Sequence, residues 1–76
     1  MNWRDYIVSE AEVLGGKPLL KGTRLSVEFI LGLFAMGWKG QTILENYPSL
    51  NQESIQAVFS YAQDSLKEGP VFEVTQ

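Results

Sequence analysis

The sequence predicts a mainly α fold, a three-helix helix-turn-helix (homeodomain-like) bundle preceded by a short N-terminal β-ribbon or arm. Three observations carry that expectation. Val27 to Trp38, V-E-F-I-L-G-L-F-A-M-G-W, is the most apolar dozen residues of the chain, with Glu28 its only charge. Apolar side chains run all round it, so such a helix must be covered on most sides. A second apolar periodicity, Ile55, Val58, Phe59, Ala62 and Leu66, falls at i, i+3, i+4, i+7 and i+11, one face of another helix. Between them, Gly37 and Pro48 mark breaks that leave room for a short middle helix.

Residues 3 to 8, W-R-D-Y-I-V, are aromatic and β-branched and read as a short strand. Ser9 to Val13 is a polar turn or a single helical turn, and Gly15-Gly16-Lys17-Pro18 is a breaker cluster. Leu19-Leu20 makes a second short strand. Lys21-Gly22-Thr23-Arg24 is the next tight turn, with Gly22 at positive φ. Two or three such strands are not stable alone, so the first 25 residues form an arm and not a domain.

Ser26 is placed to cap the first helix, with Leu25 and Ile30 as a hydrophobic staple. Glu28 suits the positive end of its dipole, and Gly37 is placed to end it in the left-handed conformation. The second helix fits Gly40 to Asn46, with Ile43, Leu44 and Tyr47 facing inward. Lys39-Gly40 offers it no side-chain cap. Pro48 stops it, because the residue before proline is pushed out of the α region. Asn51 caps the third helix, with Leu50 and Ile55 as its staple, and Gly69-Pro70 ends it. The tail Val71 to Gln76 alternates apolar and polar, as a free end or an edge strand does.

A chain of 76 residues is one domain, read as arm 1–25, three-helix core 26–68 and tail 69–76. At this size only about 60% of the unfolded chain's surface is buried. The expected core is Phe29, Ile30, Leu33, Phe34, Trp38, Ile43, Leu44, Ile55, Val58, Phe59 and Leu66, each worth roughly 1.5–3 kcal/mol when buried. Trp3, Tyr6, Tyr61 and Phe72 are left without obvious homes, which motivates a homodimer. There is no Cys and no His. Disulfides, common nucleophile–base pairs and ordinary zinc ligation are therefore closed, and neither an enzyme nor a metal or other cofactor is expected. The formal charge of −3 argues against generic nucleic-acid binding. The opening M-N-W-R-D-Y lacks an apolar h-region, so the expectation is no signal peptide and a cytoplasmic location. The apolar helix is short of the roughly 20 residues that a membrane span needs.

G-G-K-P-L-L-K-G-T-R-L-S-V, an apolar helix closed by Gly37-Trp38, then I-L-E-N-Y-P-S-L and a capped helix with A-V-F-S-Y-A resembles the small prokaryotic DUF433 family over about Tyr6 to Ala62. The resemblance implies a helix-turn-helix domain with a short β arm. It implies an antitoxin of VapB type, paired with a PIN-like nuclease toxin, for some members. It implies Gly16, Pro18, Gly22, Thr23, Arg24 and Pro48 as the family-defining, structural positions. Two departures stand out. The second helix opens at Lys39-Gly40, where the family tends to have a better cap. The third helix ends acidic, and no long toxin-wrapping tail is expected after it.

Lys17, Lys21, Arg24 and Lys39 are the basic cluster of this acidic chain. One reading makes them contacts to phosphates or to the carboxylate-lined site of a partner nuclease, where the planar fork of Arg pairs bidentately. The other makes them a solvated turn, with Arg24 paired to Glu28 or bonded to a nearby carbonyl. Gln52, Gln56 and Gln63 on the third helix are able to read adenine edges in a groove, but that helix also carries Glu53, Asp64, Lys67 and Glu68 and has no arginine. A structural or dimer-forming role suits it better. Gly15-Gly16-Lys17 does not make a phosphate loop, because the order G-x-x-x-x-G-K-[ST] is absent. Two functions follow. The first is an antitoxin-like regulator that binds a PIN-like nuclease, and promoter DNA weakly, as a dimer. The second is a protein-interaction module of the same fold without DNA binding. No small-molecule substrate and no membrane partner is expected.

Overall fold

A computed structural model describes residues 1–68 of the chain. Its architecture is mainly helical, with a two-stranded antiparallel sheet near the N-terminus. Strand β1 is Ile7–Val8 and β2 is Leu19–Leu20, in the register Ile7 opposite Leu20 and Val8 opposite Leu19. Helices α1, Val27–Ala35, α2, Gly40–Asn46, and α3, Gln52–Glu68, follow. Both α1 and α2 pack against α3. The core lies between them and the ribbon, with Ile7, Leu20, Val27, Ile30, Leu33, Ile43, Leu50, Ala57 and Val58 buried together.

The first segment corrects the strand expected over residues 3 to 8. Only Ile7–Val8 pairs; Trp3–Asp5 is a 3₁₀ turn. The reason is local and tertiary at once. The Asn2 side chain accepts from the Arg4 N–H at 3.1 Å and so starts a turn. Trp3 then reaches α3, where its ring meets Tyr61 edge-on at 4.8 Å. Trp3, Tyr6 and Tyr61 all pack against the core. They therefore have homes within one copy and do not themselves call for a dimer. Phe72, the Gly69-Pro70 stop and the tail 71–76 lie outside the described residues.

Helix α1 starts as the sequence predicts. The Ser26 hydroxyl accepts from the Phe29 N–H at 2.9 Å, and the Val27 N–H donates to the Pro18 carbonyl at 2.9 Å. It ends at Ala35, where the placement of Gly37 predicts its close. Gly37, at φ 94°, closes it: the Gly37 N–H donates to Phe34 O at 2.9 Å and the Trp38 N–H to Leu33 O at 3.0 Å. That is the left-handed termination for which glycine has no Cβ penalty. Helix α2 occupies the predicted span, and Lys39 gives it no side-chain cap. At α3 the cap is reciprocal. Ser54 N–H donates to Asn51 Oδ1 at 2.9 Å, and Asn51 N–H donates to Ser54 Oγ at 3.3 Å, the two-way arrangement of a capping box.

Three residues expected in the core are not there. Phe29, Phe59 and Leu66 are 42%, 47% and 79% exposed. Helix α3 buries Val58 as expected and Ser54 and Ala57 with it, with Tyr61 half-buried beside them. Docking of Trp3 on Tyr61 turns that face inward and sends Phe59 out, where Phe34 meets it at 4.9 Å. Phe29 keeps Tyr47 as an edge-on neighbour at 5.7 Å. The ribbon supplies what the helices do not, since Ile7, Leu19 and Leu20 are all buried.

Candidate functional site

The K-G-T-R turn is built by one side chain. Thr23 Oγ1 donates to the Leu20 carbonyl at 2.7 Å and accepts from the Leu25 N–H at 3.0 Å. Gly22, at φ 79°, makes the tight corner before it. The turn returns the chain antiparallel, so that Ser26 bridges Leu19. Arg24 is thereby held on the outer side of the corner, exposed, next to the first turn of α1.

Arg24 stands between two hollows. The larger, about 720 Å³, is lined by Leu14, Lys17, Arg24, Leu25, Ser26, Glu28 and Phe29. The smaller, about 300 Å³, includes Val8, Val13, Leu19 and Thr23. The larger groove has an apolar floor and a charged rim. Lys17 Nζ and Glu28 Oε1 are 2.6 Å apart on that rim, and the hydrogen bond and charge of Lys17 hold the Glu28 carboxyl below its ordinary range. The expectation that Glu28 pairs with Arg24 is thus corrected: Lys17 occupies that carboxylate, because the residues before Pro18 run alongside the start of α1. Among the described residues Arg24 has no ion-pair partner and no side-chain hydrogen bond.

The other predicted site residues fall in several places. Lys21 is exposed and donates its N–H to the Tyr6 carbonyl at 2.8 Å, but its side chain does not line the groove. Lys39 is exposed beyond the opposite end of α1. The basic cluster therefore resolves into Lys17 and Arg24 at one groove and two separate lysines. Gln52, Gln56 and Gln63 are all exposed on α3; Gln52 also borders a hollow of about 380 Å³ with Gly40, Gln41, Leu44 and Ile55. Gly16, at φ 83°, and Pro18 form the turn into β2. Pro48 is exposed just beyond α2.

Two groove residues escaped sequence reasoning. The apolar neighbours of Phe29 predict a core position for it. Leu14 belongs to no motif, yet it is 52% exposed and sits at φ 49°. A branched residue there is uncommon and costs about 1–2 kcal/mol. The only sequence signal was its place before Gly15-Gly16, where a backbone reversal begins.

These features define a small helical domain whose β-ribbon carries an arginine at the edge of an apolar groove. The chain belongs to the family described as "Protein of unknown function (DUF433)", whose profile matches residues 7–62. It is similar to "Uncharacterized protein y4eO" of Sinorhizobium fredii (strain NBRC 101917 / NGR234), with 35% identity over 60 residues. That match takes in 79% of this chain, and the chain spans 27% of the length of that relative. No solved structure matches. No helix among the described residues is long and apolar enough to cross a membrane.

Proposed function

We propose that this chain is an antitoxin-like regulatory protein that acts by binding, not by catalysis, and that its partner is a PIN-like nuclease. In this reading α1 and α2, joined by residues 36–39, form a helix-turn-helix with α3 packed across them. Arg24 meets a carboxylate of the nuclease, and Leu14, Leu25 and Phe29 receive apolar side chains beside it. The supporting observation is the state of Arg24. It is exposed at an apolar groove and without an acidic partner among the described residues, while its neighbour Lys17 is held by Glu28. A bidentate guanidinium–carboxylate contact is the chemistry such a group is suited to.

DNA binding is the weaker half of the proposal. The three glutamines are exposed on α3, yet Glu53 is exposed beside them and Lys67 is the one basic residue of the helix. Phosphate contact supplies most non-specific affinity, so the interaction module without DNA binding is favoured over the promoter-binding form. The test is a pull-down from the native cell with tagged chain and an Arg24→Ala control. Capture of a nuclease identified by mass spectrometry, lost in the control, supports the reading. Capture of no nuclease, or equal capture by the control, overturns it.

A further inference from the structure

The outward face of α3 carries a repeating pattern. Gln52, Gln56, Phe59, Gln63 and Leu66 are spaced 4, 3, 4 and 3 residues apart, and all are exposed. At 3.6 residues per turn they fall within about 80° of arc along about 21 Å of helix. The opposite side of the same helix holds the buried Ser54, Ala57 and Val58. The stripe is uncharged and includes two large apolar side chains, Phe59 and Leu66, in a chain whose net charge is −3. Alternating steps of four and three are the spacing of a two-helix seam.

We propose that α3 pairs antiparallel with α3 of a second copy of this chain, about a twofold axis beside Phe59. In that arrangement the stripe meets a reversed copy of itself. Phe59 meets Phe59 of the second copy, backed by Phe34 in each. Gln56 lies opposite Gln63, and each amide offers both a donor and an acceptor. Gln52 lies opposite Leu66. The charges agree as well. Glu53 and Lys67 flank the stripe on the same edge at opposite ends, so the twofold sets each Glu53 against Lys67 of the other copy. A parallel pair would set that edge against the other side of the stripe, where Ile55 and Ala62 lie, and would leave both charges without a counterpart. The twofold requires the same patch on both partners. This proposal stands without the nuclease reading, because its surface is α3 and not the Arg24 groove.

The chain has no cysteine, so single cysteines report the geometry directly. Ser60→Cys lies beside the axis and is expected to crosslink to itself on oxidation. Gln52→Cys alone is expected not to crosslink, whereas Gln52→Cys mixed with Leu66→Cys gives the mixed disulfide. By sedimentation at high micromolar concentration, the unmodified chain runs as a dimer, and Phe59→Glu weakens the dimer by at least about tenfold with unchanged circular dichroism. Lys67→Glu also weakens it, and Glu53→Lys in the same chain restores it. A monomer at that concentration, or a Gln52→Cys that crosslinks to itself as readily as Ser60→Cys, overturns the proposal.

Discussion

The indole N–H of Trp3 donates to Asp64 Oδ2 at 2.7 Å, tying the first turn of the chain to the last third of α3. The contact is half-buried, and Tyr61 stacks edge-on against the same ring. Arg4 lies over the indole, its guanidinium carbon 4.3 Å from the ring centre. The 3₁₀ turn is therefore part of the core's cover and not a loose leader to the ribbon.

Asp64→Ala should cost about 1–2 kcal/mol, the usual range for removing a charged acceptor from a partly buried donor. At about 4–8 °C per kcal/mol for a domain of this size, the melting temperature should fall visibly. Trp3→Phe should lose a similar amount, and the double variant should lose less than the sum. Thermal melts of the three variants measure this; full additivity would mean that the two side chains do not interact.

Thr23→Val should destabilise by about 1–2 kcal/mol, because the Leu25 N–H loses its acceptor in a half-buried turn. Thr23→Ser should keep most of the stability, since the hydroxyl makes both bonds. Amide exchange at Leu25 reads the difference: fast in the valine variant, slow in the serine one.

Glu28 should titrate below an ordinary glutamate, because the Lys17 hydrogen bond and charge favour its ionised form. The sign follows from linkage. A depressed carboxyl in the folded state adds stability above the unfolded group's range and loses it as pH falls through the folded midpoint. In Lys17→Met the midpoint should rise to the ordinary range. High salt should move it the same way, since both side chains are mostly in water. Carbon-detected NMR titration of the Glu28 carboxyl measures both shifts.

Leu14→Gly should leave stability unchanged or raise it by up to about 1 kcal/mol, because glycine adopts positive φ without strain. Leu20→Ala, in the buried strand, should cost about 2–5 kcal/mol. Chemical denaturation of the two variants compares them. A large loss at Leu14 would mean that its side chain packs more than its exposure implies.

Much of this fold was legible in the residues because the signals were local. Ser26, Gly37 and Asn51 fix where helices start and stop through bonds to their own neighbours, and Pro48 does so by the steric demand of its ring on Tyr47. Facing was less legible. Phe59 and Leu66 satisfy a helical period as well as Ala57 and Tyr61 do, and the choice between the two sets is made by Trp3 arriving from the far end of the chain. Arg24 could be found because K-G-T-R announces a turn. That Lys17 and not Arg24 holds Glu28 could not, because the approach of residue 17 to α1 is set by the ribbon's pairing and by no pattern in the sequence.

The bond from the Val27 amide to the Pro18 carbonyl has a consequence for how the molecule comes apart. The helix borrows its leading hydrogen bond from the segment that precedes β2, and β2 is held in turn by the Leu20 amide on the Leu25 carbonyl at 2.8 Å. Neither piece keeps its own ends satisfied without the other. Ribbon and bundle should accordingly melt in one calorimetric transition, with the amide of Val27 exchanging only through global opening.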